Sequence, residues 1–312
     1  MDERRAVVIG TGTMGPGIAE MFALGGYRTA LCGRSTASVD AGLAAARRAG
    51  ENLARFGLAA PDAVGAAQDR LGGTTDLAAA AAGAGIVVES IIEDLAAKKA
   101  CFERADRAAA PGAILATNTS GLSITEIASA TAHPRRVAGM HWWNPPHLVP
   151  LVEVVRGEQT GDEVTDALVD IARSLGKCPV VVRRDVPGFI ANRLQYALLR
   201  EAAHIVDEGI ASPEDVDRAM RAGPGLRYAA LGPLEVADFI GLDLVDAIMD
   251  YLLPALSADD ETPAAVAERA RSGRHGVKAG GGFYAYAGKS QDDLLTARDE
   301  KLARLLGAGF GR

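Results

Sequence analysis

The sequence predicts an α/β fold: a doubly wound, mostly parallel sheet with a helical-hairpin insertion, followed by an all-α C-terminal domain. Three observations lead there. Short apolar runs alternate with Ala-rich helical stretches through the first half of the chain, the pattern of a parallel sheet wrapped by helices. The first of these runs, Val7-Val8-Ile9, passes directly into the glycine-rich turn Gly10-Thr11-Gly12-Thr13-Met14-Gly15 and a helical stretch that ends at Gly25-Gly26. After Arg184-Asp185-Val186-Pro187-Gly188 the strand pattern stops and only helical periodicity remains.

In chain order, strands are predicted at Arg5–Ile9, Arg28–Cys32, Ile86–Glu89, Ala113–Ala116, Val137–Met140, Leu151–Val155 and Pro179–Arg183. Between the second and third, Ser38 to Ala82 is helical in composition with a break near Gly57 and Pro61, which predicts a helical hairpin added to the basic sheet. A helix over Glu163–Leu175 ends at Gly176. The composition shift divides the chain into residues 1–184 and 185–312. Pro187 suits the first turn of the next helix with Asp185 as its cap, and Ile190, Leu194, Leu198, Ala202 and Ile205 mark its buried face. Ser212-Pro-Glu-Asp215 starts a helix that stops at Gly223, and Leu234–Leu253, Ala264–Ser272 and Leu294–Leu306 supply the rest.

Bulk properties narrow the function. A chain of 312 residues can build two cores, and a net charge of −7 with scattered basic residues argues against nucleic acid as a partner. No apolar run reaches membrane-spanning length. Met1-Asp-Glu-Arg-Arg leads straight into the first strand, leaving no room for a signal peptide. Cys32, Cys101 and Cys178 are odd in number and far apart, as expected of reduced thiols in a cytoplasmic protein, and no histidine spacing suggests a metal site.

The strand–turn–helix at Gly10, Gly12 and Gly15 is a Rossmann-type fingerprint: backbone close enough to touch a pyrophosphate, and helix amides, with Thr13 and Met14 between, to receive it. The second strand ends in Gly33-Arg34-Ser35, where an NAD-selective fold usually has a carboxylate for the ribose 2′-hydroxyl. Its absence removes repulsion against a 2′-phosphate, which Arg34 and Ser35 could bind, so the cofactor is NADP or NAD with NADP favoured. Alternatively Arg34 stacks on adenine or is solvated.

His141 and Glu153 stand 12 positions apart across a proline-rich reversal, on two runs that read as adjacent strands. A carboxylate within an apolar strand needs a partner, and beside an imidazole it fixes the tautomer and stabilises the imidazolium, as a general base requires. Ser120 follows the strand ending at Ala116, at the carboxyl edge where open α/β sheets bind ligands. It could equally cap the helix from Ile124, as could Ser123.

The chain resembles the 3-hydroxyacyl-CoA dehydrogenase family over nearly its whole length. The resemblance rests on Thr117-Asn-Thr-Ser-Gly-Leu-Ser-Ile124, Gly139–Pro145, Leu151-Val-Glu-Val-Val155, Pro187-Gly-Phe-Ile-Ala-Asn-Arg-Leu194 and Gly276-Val-Lys-Ala-Gly-Gly-Gly-Phe-Tyr284. It implies that His141 is the base and Glu153 its orienting partner, with Ser120 and Asn192 hydrogen-bonding the substrate oxygen. It also implies that Glu93, Lys98, Asn118, Ser120, Asn144 and Lys278 contact the cofactor, and that the chain forms a homodimer through its helical domain with the active site in the interdomain cleft. The implied reaction is hydride exchange between a 3-hydroxy acid and its 3-keto form, in fatty-acid-type metabolism.

Departures from the family pattern concern the substrate. Trp142-Trp143 stand where phenylalanines are common, Pro146-His-Leu-Val-Pro150 replaces a more apolar connection, and Gly223–Glu235 carries Arg227-Tyr228. This last segment is similar to the λ-crystallin/L-gulonate 3-dehydrogenase and carnitine dehydrogenase branches, which act on free hydroxy acids. Arg227 would then pair with a substrate carboxylate, or make a helix-end or interdomain ion pair. Arg47, Arg48 and Arg55 keep a CoA phosphate site open. A nucleotide-binding protein without turnover, acting as sensor or structural component, is the alternative of a different class.

Overall fold

Eight strands form one sheet in the order β3-β2-β1-β4-β5-β6-β7-β8, all parallel except for the antiparallel pair β6–β7. The strands are β1 (Arg5–Ile9), β2 (Arg28–Cys32), β3 (Leu71–Thr74), β4 (Ile86–Glu89), β5 (Ile114–Thr117), β6 (Val137–Trp142), β7 (Leu151–Val155) and β8 (Cys178–Val182). Helices α1 (Gly15–Leu24), α2 (Thr36–Arg55), α3 (Pro61–Arg70), α4 (Leu77–Ala82), α5 (Leu95–Ala108), α6 (Ile124–Ala128) and α7 (Asp162–Ser174) connect them. This computed structural model describes residues 4–311.

Strand pleating explains the apolar runs. Ala6 and Val8 point into one core with Phe22 of α1 and Leu168 of α7, while Val7 and Ile9 point into another with Phe102 of α5 and Ile127 of α6. A strand covered on both faces must be apolar throughout. Chain order reverses between β1 and β4, so the glycine turn after β1 opens at the topological switch point, where such sheets bind ligands.

Contacts divide the chain into two units, one through Asn192 with Leu302–Phe310, the other Arg193–Lys301. The second is helical: most of α8 (Ala191–Asp207), then α9 (Pro213–Ala222), α10 (Pro224–Tyr228), α11 (Pro233–Ile240), α12 (Leu242–Leu252), α13 (Ala264–Arg271) and the start of α14 (Gln291–Gly307). Ser212 caps α9 by accepting from the Asp215 amide. None of the helices is long and apolar enough to cross a membrane, among the described residues.

Four sequence expectations fail in instructive ways. The stretch Ser38–Ala82 is not helical throughout: α2 and α3 form the expected hairpin, but Leu71-Gly-Gly-Thr74 pairs with β2 as an edge strand. Its glycines hid it, yet packing requires one of them, since a Cβ on Gly73 would lie 2.2 Å from a Val39 methyl of α2. Asp185 does not cap the long helix. Its carboxylate accepts from Ser123 Oγ (2.6 Å) and the Thr125 amide (2.9 Å) at the start of α6, and α8 begins only at Ala191. Gly188 (φ 76°) and Phe189 (φ 51°) are left-handed, so no helix can run through them. Ile190, Leu194 and Leu198 are exposed rather than buried, because nothing among the described residues covers that stripe of α8. The run Leu234–Leu253 is two helices broken at Gly241 (φ 98°).

Candidate active site

A cavity of about 950 Å³ opens over the carboxyl ends of β1, β2, β4 and β5, lined among others by Gly10, Gly12, Thr13, Met14, Arg34 and Asn118. Gly10 has φ 117°, and a Cβ there would lie 2.2 Å from the Ser90 carbonyl oxygen of the neighbouring strand end. Nothing stands within 4 Å of a Cβ built on Gly12, so that backbone faces open space, beside the first turn of α1. These features fit a dinucleotide: bare backbone for a pyrophosphate and helix amides to hold it.

At the β2 end of the cavity, a side chain on Gly33 would meet Val39, Ser38 and Thr11 within 3 Å, so no ribose-binding carboxylate fits there without displacement. Arg34 lines this end, together with Arg104 of α5. Ser35 does not line it. Its hydroxyl accepts from the Ser38 amide, in a reciprocal box that caps α2, and Ser38 lines the cavity instead.

The segment between β4 and α5 is built on a buried ion pair. Lys98 Nζ lies 2.7 Å from Glu89 Oε1 and 3.3 Å from Glu93 Oε2, with the ammonium sealed from solvent. Glu89 also accepts from Thr117 Oγ1 (2.7 Å) and the Ile91 amide (2.6 Å). Glu93 Oε1 accepts from Thr119 Oγ1 (2.6 Å) and the Ser120 amide (2.8 Å). Burial raises the Glu93 carboxyl, but Thr119, Lys98 and Ser120 together hold it below the usual range. Glu93 thus lines the cavity and fixes the Thr119–Ser120 turn, while Lys98 is buried outside the lining and ties Glu93 to Glu89. Glu89 and Thr117 were not anticipated, although the signal existed: Glu89 ends the apolar run Ile86-Val-Val, as Glu153 interrupts another. Asn118 bridges strand ends, donating to Ser90 Oγ (3.2 Å) and accepting from the Trp142 amide (2.7 Å).

The antiparallel register sets His141 opposite Glu153. The reversal between β6 and β7 is tied by Lys177, whose Nζ donates to the carbonyls of Pro146 (2.6 Å) and Val149 (2.9 Å), and whose pKa burial lowers to about 7. By strand parity Trp142 enters the core while His141 and Glu153 share the other face. His141 Nδ1 lies 2.8 Å from Glu153 Oε2. The ring packs between Trp143 and Phe189, at centroid distances of 5.6 and 5.7 Å, and Nε2 has no partner among the described residues.

Glu153 is fully buried and fully satisfied. Oε2 accepts from His141 and from the Trp143 indole (3.3 Å), and Oε1 from the amides of Ile190 (2.9 Å) and Ala191 (3.0 Å) at the start of α8. Burial pushes the carboxyl up, but these donors overcome it and keep the group below the ordinary carboxylate range. The left-handed Phe189 is a strained conformation, costing about 1–3 kcal/mol. It turns the next two amides onto Glu153 and sets its own ring against His141.

Ser123, not Ser120, caps α6, by accepting from the Glu126 amide. The Ser120 hydroxyl keeps no hydrogen bond among the described residues, while its carbonyl accepts from Asn192 Nδ2 (2.9 Å). Asn144 is exposed after β6, outside the cavity lining. Arg227 in α10 and Lys278 in a short turn belong to the second unit, are exposed, and make no ion pair among the described residues.

A bare-backbone cradle at a sheet switch point defines a dinucleotide-binding fold, and comparison with known proteins makes this specific. Residues 5–186 match the family model for the 3-hydroxyacyl-CoA dehydrogenase NAD-binding domain and residues 188–286 that for its C-terminal domain. The chain belongs to the 3-hydroxyacyl-CoA dehydrogenase family. It is 36% identical to 5-formyl-3-hydroxy-2-methylpyridine 4-carboxylate 5-dehydrogenase of Mesorhizobium japonicum, covering 96% of both chains. It is 37% identical to a probable 3-hydroxybutyryl-CoA dehydrogenase of Bacillus subtilis, over 93% of this chain and 100% of that one. Among solved structures, the 5-formyl-3-hydroxy-2-methylpyridine 4-carboxylic acid 5-dehydrogenase, described as an NAD+-dependent dismutase, superposes with a TM-score of 0.90 at 34% identity and 97% coverage of both.

Proposed function

We propose that this chain interconverts a 3-hydroxy acid and its 3-keto form, with His141 moving the proton at the reacting oxygen. The observation that carries this reading is the 2.8 Å contact from His141 Nδ1 to an anionic Glu153, with Nε2 left free to act. A bound nicotinamide dinucleotide supplies the hydride acceptor in oxidation and the donor in reduction. In oxidation, neutral His141 accepts the hydroxyl proton at Nε2 and Glu153 stabilises the imidazolium; in reduction the imidazolium returns it. The free Ser120 hydroxyl and Asn192, already tied to the Ser120 carbonyl, support a role in holding the substrate oxygen.

A free carboxylic acid is favoured over a CoA thioester by the full-length match to a pyridine-carboxylate dehydrogenase and by the exposed Arg227, which suits a carboxylate. For the cofactor, the crowding at Gly33 and the two arginines at that end support NADP(H) over NAD(H), against the NAD+ use of the relative just named. Asn144 and Lys278 are proposed as further cofactor contacts by their match to family positions. A cytoplasmic homodimer through the helical unit is part of the same reading, supported by Leu234, Phe239 and Tyr251, each at least 70% exposed in the single chain. A monomer in sedimentation would remove that part alone.

The test follows absorbance of the reduced nicotinamide with 3-hydroxybutyryl-CoA, free 3-hydroxy acids and pyridine carboxylates carrying an alcohol or aldehyde, each with both cofactors. Turnover that His141→Gln abolishes is expected. Cofactor binding without turnover on the whole panel favours a sensing role and overturns the enzymatic reading; a higher kcat/KM with NADH overturns only the NADP(H) preference.

A further inference from the structure

Two tryptophans stand side by side at the end of β6, and they do different things with their indole N–H groups. Trp142 is buried in the core, and its Nε1 meets no acceptor among the described residues. Trp143 turns to the other side, where its Nε1 donates to Glu153 Oε2 at 3.3 Å. That is the same oxygen to which His141 Nδ1 bonds. Oε1 is already held by two backbone amides, so among the described residues the indole is the one side-chain donor that competes with the imidazole for this carboxylate.

We infer that Trp143 is a positioning residue that sets the strength of the His141–Glu153 pair, through its N–H and not through its ring face. The inference rests on the proposed role of His141. A donor on a carboxylate oxygen withdraws negative charge from it and weakens what a second partner feels. With the indole N–H in place, Glu153 holds its imidazole partner less strongly than it would alone. A phenylalanine here keeps an aromatic side chain beside His141, where the Trp143 ring stands at 5.6 Å, and loses this control.

Other charged groups on the surrounding elements are Lys177 and Arg183 at the ends of β8, Arg184 and Asp185 before α8, Arg193 within it, and Glu89, Glu93 and Lys98 beside β5. None differs between wild type and Trp143→Phe, so the comparison isolates the indole.

The experiment is NMR titration of 15N-labelled histidine in the full chain for wild type, Trp143→Phe and Trp142→Phe, together with kcat against pH. Loss of one neutral donor should raise the His141 midpoint by roughly half a pH unit in Trp143→Phe. The acid limb of the oxidation profile should move with it, and Trp142→Phe should leave both in place. An unchanged or lowered midpoint in Trp143→Phe, or an equal shift in Trp142→Phe, overturns the inference. Failure of the underlying base assignment reads differently: His141→Gln would then retain turnover, while the NMR midpoints still report on the indole.

Discussion

Glu20 and Glu153 are both sealed from solvent, and they are opposites. Glu20 lies on α1 against α2, so near Gly50 that a Cβ there would stand 2.2 Å from its Oε1, and neither oxygen has a hydrogen-bond partner among the described residues. Burial, and secondarily the charge of Glu51, raises its pKa to about 7, with Arg47 opposing. Glu153 receives two backbone amides, an imidazole and an indole, and is held below the ordinary carboxylate range. Burial alone makes a carboxyl neutral; convergent donors make it an anion. The first condition needs only packing, whereas the second needs four donors from two other segments of chain to converge on one carboxylate.

The largest expected effect tests the anion's purpose. His141→Gln should lower kcat by roughly 10²–10⁴-fold with cofactor affinity kept, because general-base catalysis is worth about that much; steady-state kinetics with cofactor titration checks it. Glu153→Gln should lower kcat by up to roughly 10⁴-fold, the scale of loss when the carboxylate that orients a catalytic histidine becomes an amide. It should also destabilise the fold, since the amide of glutamine cannot accept from all four donors, and denaturant melts measure that loss.

The two carboxyls should leave opposite marks on stability against pH. Glu20 has a folded pKa above its unfolded value, so its contribution is complete below about 4.5 and lost as pH rises through about 7. Glu153 has a folded pKa below its unfolded value, so its contribution is present above the unfolded pKa and lost as pH falls through the folded one. Glu20→Gln should therefore flatten the decline in melting temperature between pH 5 and 8 and stabilise the protein at pH 8, by on the order of 2 kcal/mol. If Glu20→Gln melts with the wild-type pH profile, the contrast between the two carboxyls collapses.

The smallest effect concerns a third acid. Asp185 is an intermediate case, with one hydroxyl and one amide at the start of α6. Asp185→Ala should cost about 1 kcal/mol, as for loss of a helix-cap acceptor, with kcat nearly unchanged. A large fall in kcat there would mean that the turn carrying Phe189, Ile190 and Ala191 depends on α6.

How much of this could be read in advance follows from the range of each interaction. The twelve-residue separation of His141 and Glu153 was legible because a local reversal joins adjacent strands, and register then follows from alternation. The glycine turn was legible because Gly10 takes a left-handed φ of 117° and a side chain on Gly15 would strike the Gly10 carbonyl five residues earlier. Edge strand β3 was not, since Leu71-Gly-Gly-Thr74 carries almost no apolar signal and owes its place to packing against α2. Asp185 looked like the cap of the helix that follows it, but its partners lie 60 and 62 residues earlier. The carboxylate rule that found Glu153 applied equally to Glu89, whose partner Lys98 is only 9 residues away.

By itself, then, the sequence determined the alternation that makes a double-wound sheet, the bare turn at its switch point, and the pairing of an imidazole with an acid. Each depends on periodicity or on neighbours a few residues apart. Only the tertiary structure decided which acid is held as an anion and which has its pKa raised, which serine is left free, and which of two adjacent tryptophans reaches the carboxylate. Those outcomes depend on where distant donors and excluded water meet, and a linear order of side chains does not contain that geometry.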